Sequence, residues 1–177
     1  MRAFKGFHSN LTCKGYQFKE NGVNRTEKAN CGRNGFHCAE NPLDCLSYYS
    51  DWQRSVYYEV EAGGDLDEDH LDSKISCTEI RLNRRLSFEQ LLLEAAAYMV
   101  EHPKRHWNHR VCREICNSHH GFGVVRGKNP KALGKAGDIL VILKEEPDNP
   151  EIEEIAFLKI DQKQYYPGRY YDVYGNC

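Results

Sequence analysis

The sequence predicts an α+β fold, a mainly antiparallel sheet with one long helix over residues 87–101 and one short helix over residues 42–49. Three observations lead there. Short runs rich in β-branched and aromatic residues recur between Gly, Asn and Asp signals. Residues 55–62, SVYYEVEA, alternate apolar and polar with the strand period of two. Only one segment of any length, residues 87–101, carries a helical apolar stripe. At 177 residues, 40% hydrophobic and 11% aromatic, the chain suffices for one core, so a single domain spanning residues 1–177 is expected.

The elements follow in order. Residues 2–7 and 16–18 read as strands, and Gly35-Phe36-His37-Cys38 as another. Asn41-Pro42 then opens the short helix, because a proline at the first helical position gives up only an N–H that has no partner there. Val56, Tyr58, Val60 and Ala62 define the inner face of the next strand, which Gly63-Gly64 should end. The acidic run Asp65, Asp67, Glu68, Asp69 and Asp72 is expected to be a solvated loop, since the spacing of a calcium-binding loop is missing. Residues 74–82, KISCTEIRL, return as a strand. In the long helix Ser87 and Gln90 form a capping box, Phe88, Leu91, Leu92, Ala95 and Met99 face inward, and Pro103 stops it. Apolar patterning resumes at residues 138–143 and 152–160 around the PDNP turn, and residues 169–174 supply a last short strand.

Between helix and tail lies a basic His/Cys segment, residues 102–135. Lys104, Arg105, Arg110, Arg113, Arg126, Lys128, Lys131 and Lys135 stand there against Glu114 alone, a net +7. The whole chain carries −2, so the other 143 residues carry −9. Such polarisation suits a partner of opposite charge, with Trp107 as a stacking surface and the acidic run as a second contact. The plainer alternative is a solvated loop that balances an acidic domain. His109, Cys112, Cys116 and His119, with His102, His106 and His120 nearby, raise a zinc site, but all these gaps are helical and one helix cannot wrap a tetrahedron. An ordinary polar helix with inward cysteines is the expectation, and no metal or cofactor is assigned.

No apolar run of seven or more follows a basic start within residues 1–15, which predicts a cytoplasmic chain. The longest apolar stretch, residues 91–100, is broken by Glu94 and far short of a membrane span. In that compartment the eight cysteines are expected to be free thiols, with Cys13, Cys38 and Cys77 as core residues of strands. No phosphate loop, dinucleotide fingerprint or zinc-protease motif is present. With eight His and eight Cys, no nucleophile and base pair stands out.

Five segments carry a family resemblance: FKGF with LTCKGYQF near the start, GFHCAENPLDC at 35–45, SVYYEVEAGGDL at 55–66, DSKISCTEIRL at 72–82 and AFLKIDQKQYYPGRYYDV at 156–173. Together they resemble a domain of unknown function carried by phages and prophages of gut Firmicutes. Relatives there carry Gly/Ala/Ser-rich repeats where this chain has residues 102–135. The resemblance implies a phage-encoded protein that binds a host protein or ribonucleoprotein, and most concretely an anti-CRISPR inhibitor of a Cas nuclease with its guide RNA. A second resemblance, to the ADP-ribosyltransferase fold, rests on Lys5-Gly6 and Gly35-Phe36-His37-Cys38. Lys5 and Cys38 depart there from the His or Arg and the Thr or Ser that grip NAD, so it implies a shared scaffold more than shared chemistry. Such an enzyme would need an activating glutamate on a central strand, for which Glu59, Glu61 and Glu79 are available. The expectation is therefore a binding protein without catalytic residues, no membrane partner, and direct nucleic-acid binding or a transferase-like activity as alternatives.

Overall fold

Alternation of apolar and polar residues in the first half of the chain produces antiparallel strands longer than the sequence predicts. The computed structural model describes residues 1–30, 33–68, 73–105 and 107–177. The chain divides into two compact units, Met1–Ala95 and Ala96–Cys177. The architecture is α+β with mostly antiparallel sheets and short helices.

In the first unit β1 (Arg2–His8) is followed by a small hairpin, β2 (Thr12–Cys13) and β3 (Tyr16–Gln17), then β4 (Val23–Arg25) and β5 (Phe36–Ala39). A 3₁₀ turn, Pro42–Asp44, leads into the one-turn helix α1 (Cys45–Tyr48), with the Asn41 side chain accepting from the Leu43 N–H at 3.1 Å. Two long strands come next, β6 (Ser55–Glu68) and β7 (Lys74–Leu86).

Gly63-Gly64 does not end β6 as expected. The strand passes through them with a register shift, Gly64 taking φ +71° and Asp65 donating its N–H to Thr78 Oγ1 at 2.9 Å. Asp65, Asp67 and Glu68 accordingly lie on a strand end and not in a loop. Asp69 and Asp72 lie outside the described residues.

Pairing runs β5–β7–β6–β1 and back to β5, so the sheet closes on itself. The closing contact is thin. β1 pairs with β6 along seven positions but with β5 only at Phe4↔Ala39. Inside the ring pack Ala3, Phe7, Phe18, Phe36, Cys38, Val60, Ile75, Cys77 and Ile80, all buried. Lys5, between Ala3 and Phe7, shares their side by alternation.

The helix expected to be long is short. α2 (Phe88–Glu101) has fourteen residues, just under four turns, and crosses from the first unit into the second. Its capping box forms as expected, with Ser87 Oγ accepting from the Gln90 N–H at 3.1 Å and Gln90 Oε1 accepting from the Ser87 N–H at 2.8 Å. Glu94 bonds Arg2 at 2.7 Å and Arg84 at 2.6 Å, and both arginines also hold Glu59. Among the described residues no helix is long and apolar enough to cross a membrane.

The second unit holds β8 (Val111–Asn117), β9 (Phe122–Leu133), β10 (Ile139–Glu145), β11 (Ile152–Lys159) and β12 (Tyr170–Tyr171) in one sheet. β8–β9 and β9–β10 are parallel, the only such pairs among the described strands. The helix expected around Cys112 and Cys116 is instead strand β8. A four-residue spacing puts two side chains on one face of either element, and the β-branched Val111 and Ile115 favour the strand. β8 is kinked at Glu114, which takes φ +61° and accepts the N–H groups of Lys128 and Asn129, each at 2.9 Å.

Candidate functional site

The thin seam between β1 and β5 is filled from inside the ring by Lys5. Its side chain is 97% buried, and its ammonium donates to the His37 carbonyl at 2.8 Å, where a second strand would otherwise pair. Cys13 Sγ lies 3.7 Å from the same nitrogen. The faces of Phe7 and Phe18, 4.9 and 5.4 Å away, complete its surroundings. Among the described residues no carboxylate comes within ion-pair distance of Lys5, an unusual condition for a buried ammonium.

Outside the seam opens a cleft of about 420 Å³, lined by Phe4, Lys5, Gly6, His8, Cys13, Lys14, His37, Cys38, Ala39, Asp44, Cys45, Tyr48, Tyr49 and Lys74. Each wall has a local cause. Tyr49 lies flat against Gly6, where a Cβ would come within 2.6 Å of the ring, so the absence of a side chain at residue 6 lets α1 approach the strand. Tyr57 donates its hydroxyl to the Tyr49 carbonyl and fixes the end of α1. Cys45 is buried in the same wall, and burial pushes its thiol up to about 12. Lys14 and Gly15 form the two-residue tip of the β2–β3 hairpin at φ +46° and +81°, holding the Lys14 ammonium at the rim.

The electrostatics of the cleft are one-sided. Lys5, Lys14 and Lys74 contribute three ammonium groups. Among the described residues the one lining carboxylate, Asp44, is engaged by the N–H and hydroxyl of Ser73 at 3.1 and 2.6 Å. His37 is held down to about 4, first by burial and then by Lys14, Lys5 and Lys74, and is neutral at physiological pH. Lys74 reaches the Tyr48 hydroxyl at 3.0 Å. Burial first, and then its approach to Cys13, pushes the Tyr49 hydroxyl up, so it stays protonated. Aromatic walls with converging cations suit a ligand that joins a flat apolar body to an anionic group.

The glutamates weighed for catalysis are elsewhere. Glu59 is clamped by Arg2 and Arg84, and its carboxyl is held below the usual range by those bonds. Glu79 pairs with Arg25 at 2.9 Å, and Glu61 is exposed. None of the three lines the cleft. Cys38 borders the cleft but is buried, its thiol turned to the Ile75 carbonyl at 3.9 Å.

The residues singled out by charge are scattered through the second unit. Arg126 is wholly buried: its Nε bonds Glu145 at 2.6 Å and its Nη2 the Pro103 carbonyl at 2.8 Å. It is a strut of the sheet and not a surface contact, since its neighbours Val124 and Val125 draw it inward. Trp107 is held between the guanidinium groups of Arg113 and Arg126, at 5.2 and 4.9 Å. Lys104, Arg105, Arg113, Lys128, Lys131 and Lys135 are exposed, and Arg110 is half-buried. Asp65, Asp67 and Glu68 are exposed in the first unit. Among the described residues no group of three or more His, Cys, Asp or Glu is placed to hold a metal, and His106 lies outside them. Sequence reasoning missed the cleft. The available signal was a lysine between two inward residues of an apolar strand, AFKGF, followed by a Cys-Lys-Gly-Tyr hairpin tip.

No curated protein and no solved structure matches the chain. A family model described as Domain of unknown function (DUF7666) matches residues 1–94, nearly the extent of the first unit, and includes every residue that lines the cleft.

Proposed function

This chain belongs to the DUF7666 family, and from the cleft in its family-matched unit we propose that it is a binding protein for a small anionic ligand with a flat apolar body. The observation that carries this reading is Lys5: a buried ammonium with no carboxylate in ion-pair distance among the described residues, at a seam that two more lysines overlook. An anion there gains from a partly enclosed, aromatic-walled setting, where each charge contact is worth more than at an open surface. The absence of Glu59, Glu61 and Glu79 from the cleft favours binding over a transferase-like reaction.

Titration with phenyl phosphate, followed by amide NMR, tests it. Shifts should concentrate at Gly6, Lys14, His37 and Lys74, and the Lys14→Ala/Lys74→Ala variant should bind about tenfold more weakly. Equal binding of neutral benzyl alcohol, or shifts confined to the second unit, would refute the reading.

A macromolecular partner is a second reading, favoured by exposed Lys131 paired in register with Ile115, itself 63% exposed, and by the further exposed cations of the same unit, Lys128 among them. In its concrete form the protein is a phage-encoded inhibitor of a host ribonucleoprotein such as a Cas nuclease. Basic side chains of the second unit would meet the nucleic acid, with Asp65, Asp67 and Glu68 as a contact of opposite sign. Pull-down against host nucleoprotein complexes at low and moderate salt should show enrichment, and its loss at both would remove this reading.

A further inference from the structure

Where β8, β9 and β12 lie side by side in the second unit, the outer face of the sheet carries an aromatic ring laid flat. Asn117 of β8 and Tyr170 of β12 both pair with Leu133 of β9, so the three side chains share one face. In the adjoining row Cys116, Ala132 and Tyr171 turn the other way and belong to the core. The Tyr170 hydroxyl donates to Asn117 Oδ1 at 2.7 Å, a bond that must pass over β9. The ring therefore lies along the sheet above Leu133, which is half-buried, and Tyr170 is still 40% exposed. Two residues along β8, Ile115 pairs with Lys131 on the same face, and both are open to solvent.

The charge available around this face has one sign. Lys128 and Lys135 flank Lys131 in the chain and Arg169 precedes Tyr170; all four cations are exposed, and among the described residues no ion pair engages them. The carboxylates interspersed with them are turned onto backbone N–H groups: Glu114 accepts from Lys128 and Asn129, Asp138 from Lys135, and Asp172 from Tyr174 and Asn176. A ring open on one side, beside cations, is what single-stranded nucleic acid uses, its bases stacking while its phosphates meet the ammonium groups. An acidic peptide would match the cations and leave the ring unused. We propose that this face binds single-stranded nucleic acid without sequence preference, Tyr170 stacking on a base and Lys131 meeting a phosphate beside it. The proposal rests on the second reading above, that of a macromolecular partner, and not on the cleft of the first unit.

Fluorescence anisotropy of the full chain with a labelled oligothymidylate of about twelve nucleotides, an abasic strand of equal length and a duplex tests it. The oligothymidylate should bind about tenfold more tightly than the abasic strand, which has the same phosphates and no bases, and than the duplex, whose bases are already stacked. Tyr170→Leu should lower its affinity about tenfold and leave the abasic strand unaffected, whereas Tyr170→Phe, which keeps the ring, should stay within about threefold of the parent. Lys131→Ala should weaken both single strands and lower their dependence on salt. Equal binding of oligothymidylate and abasic strand, or indifference to Tyr170→Leu, would overturn the proposal while leaving a charge-driven nucleic-acid contact to the second reading. Absence of binding to every strand would overturn it as well, and any host complex enriched in the pull-down would then be held by protein contacts. Polyglutamate binding as tightly as oligothymidylate would assign the face to an acidic protein partner instead.

Discussion

Two groups, Arg126 buried and His37 half-buried, make opposite use of their surroundings. Arg126 and Glu145 are a nearly fully buried pair, and two backbone carbonyls take further guanidinium N–H groups. Arg126→Ala would leave the Glu145 carboxylate buried without a cation, at a cost of about 3–5 kcal/mol. The double variant Arg126→Met/Glu145→Leu should recover most of that loss, and urea unfolding monitored by circular dichroism would measure both. His37 is an uncharged group in a basic cleft. Its folded-state value of about 4 lies below the ordinary histidine value of about 6.5. The unfolded chain therefore takes up a proton first as pH falls. The stability from keeping His37 neutral is complete above about pH 6.5 and is lost as pH drops toward 4. His37→Asn should flatten that part of the stability profile, visible as a smaller fall in unfolding free energy between pH 7 and 4.

Local signals were read correctly where they act within one element. The Ser87/Gln90 capping box is a four-residue pattern and forms as written, so Ser87→Ala should lower stability by about 1 kcal/mol, read from the thermal midpoint. Element type failed where two geometries share a spacing. Cys112 and Cys116 fall on one face of a helix or of a strand, and Glu114, with its φ of +61° and its bonds to Lys128 and Asn129, breaks the alternation that would have marked β8. Gly63-Gly64 misled for a related reason: glycine ends a strand or lets it bulge, and only the partner strand, through Thr78, decides which. The cleft was illegible because it depends on a non-local fact. Nothing in residues 2–8 or 36–39 says that these strands meet at one position and part.

Across the whole chain, small-ligand recognition and bulk charge fall in different places. All cleft-lining residues belong to Met1–Ala95, while the basic segment of residues 102–135, net +7, belongs to Ala96–Cys177, whose acidic tail brings that unit as a whole back to +1. Lys128→Glu/Lys131→Glu should therefore leave phenyl phosphate affinity within about twofold of the parent, while reducing retention on a heparin column and its dependence on salt. Calorimetry and elution salt would read the two effects separately. Composition pointed to residues 104–135 because net charge counts side chains without their depth. Arg126 weighed as much in that count as Lys131, although one supports the sheet and the other meets solvent.

The backbone at the hairpin tip sets folding and ligand capture against each other. Lys14 occupies a left-handed conformation that asparagine adopts more readily. Lys14→Asn should thus yield a protein that melts slightly higher yet grips anions less well. A sequence optimised for foldability alone would not put lysine there, and the opposed sign of the two responses is the mark of a position kept for what it holds.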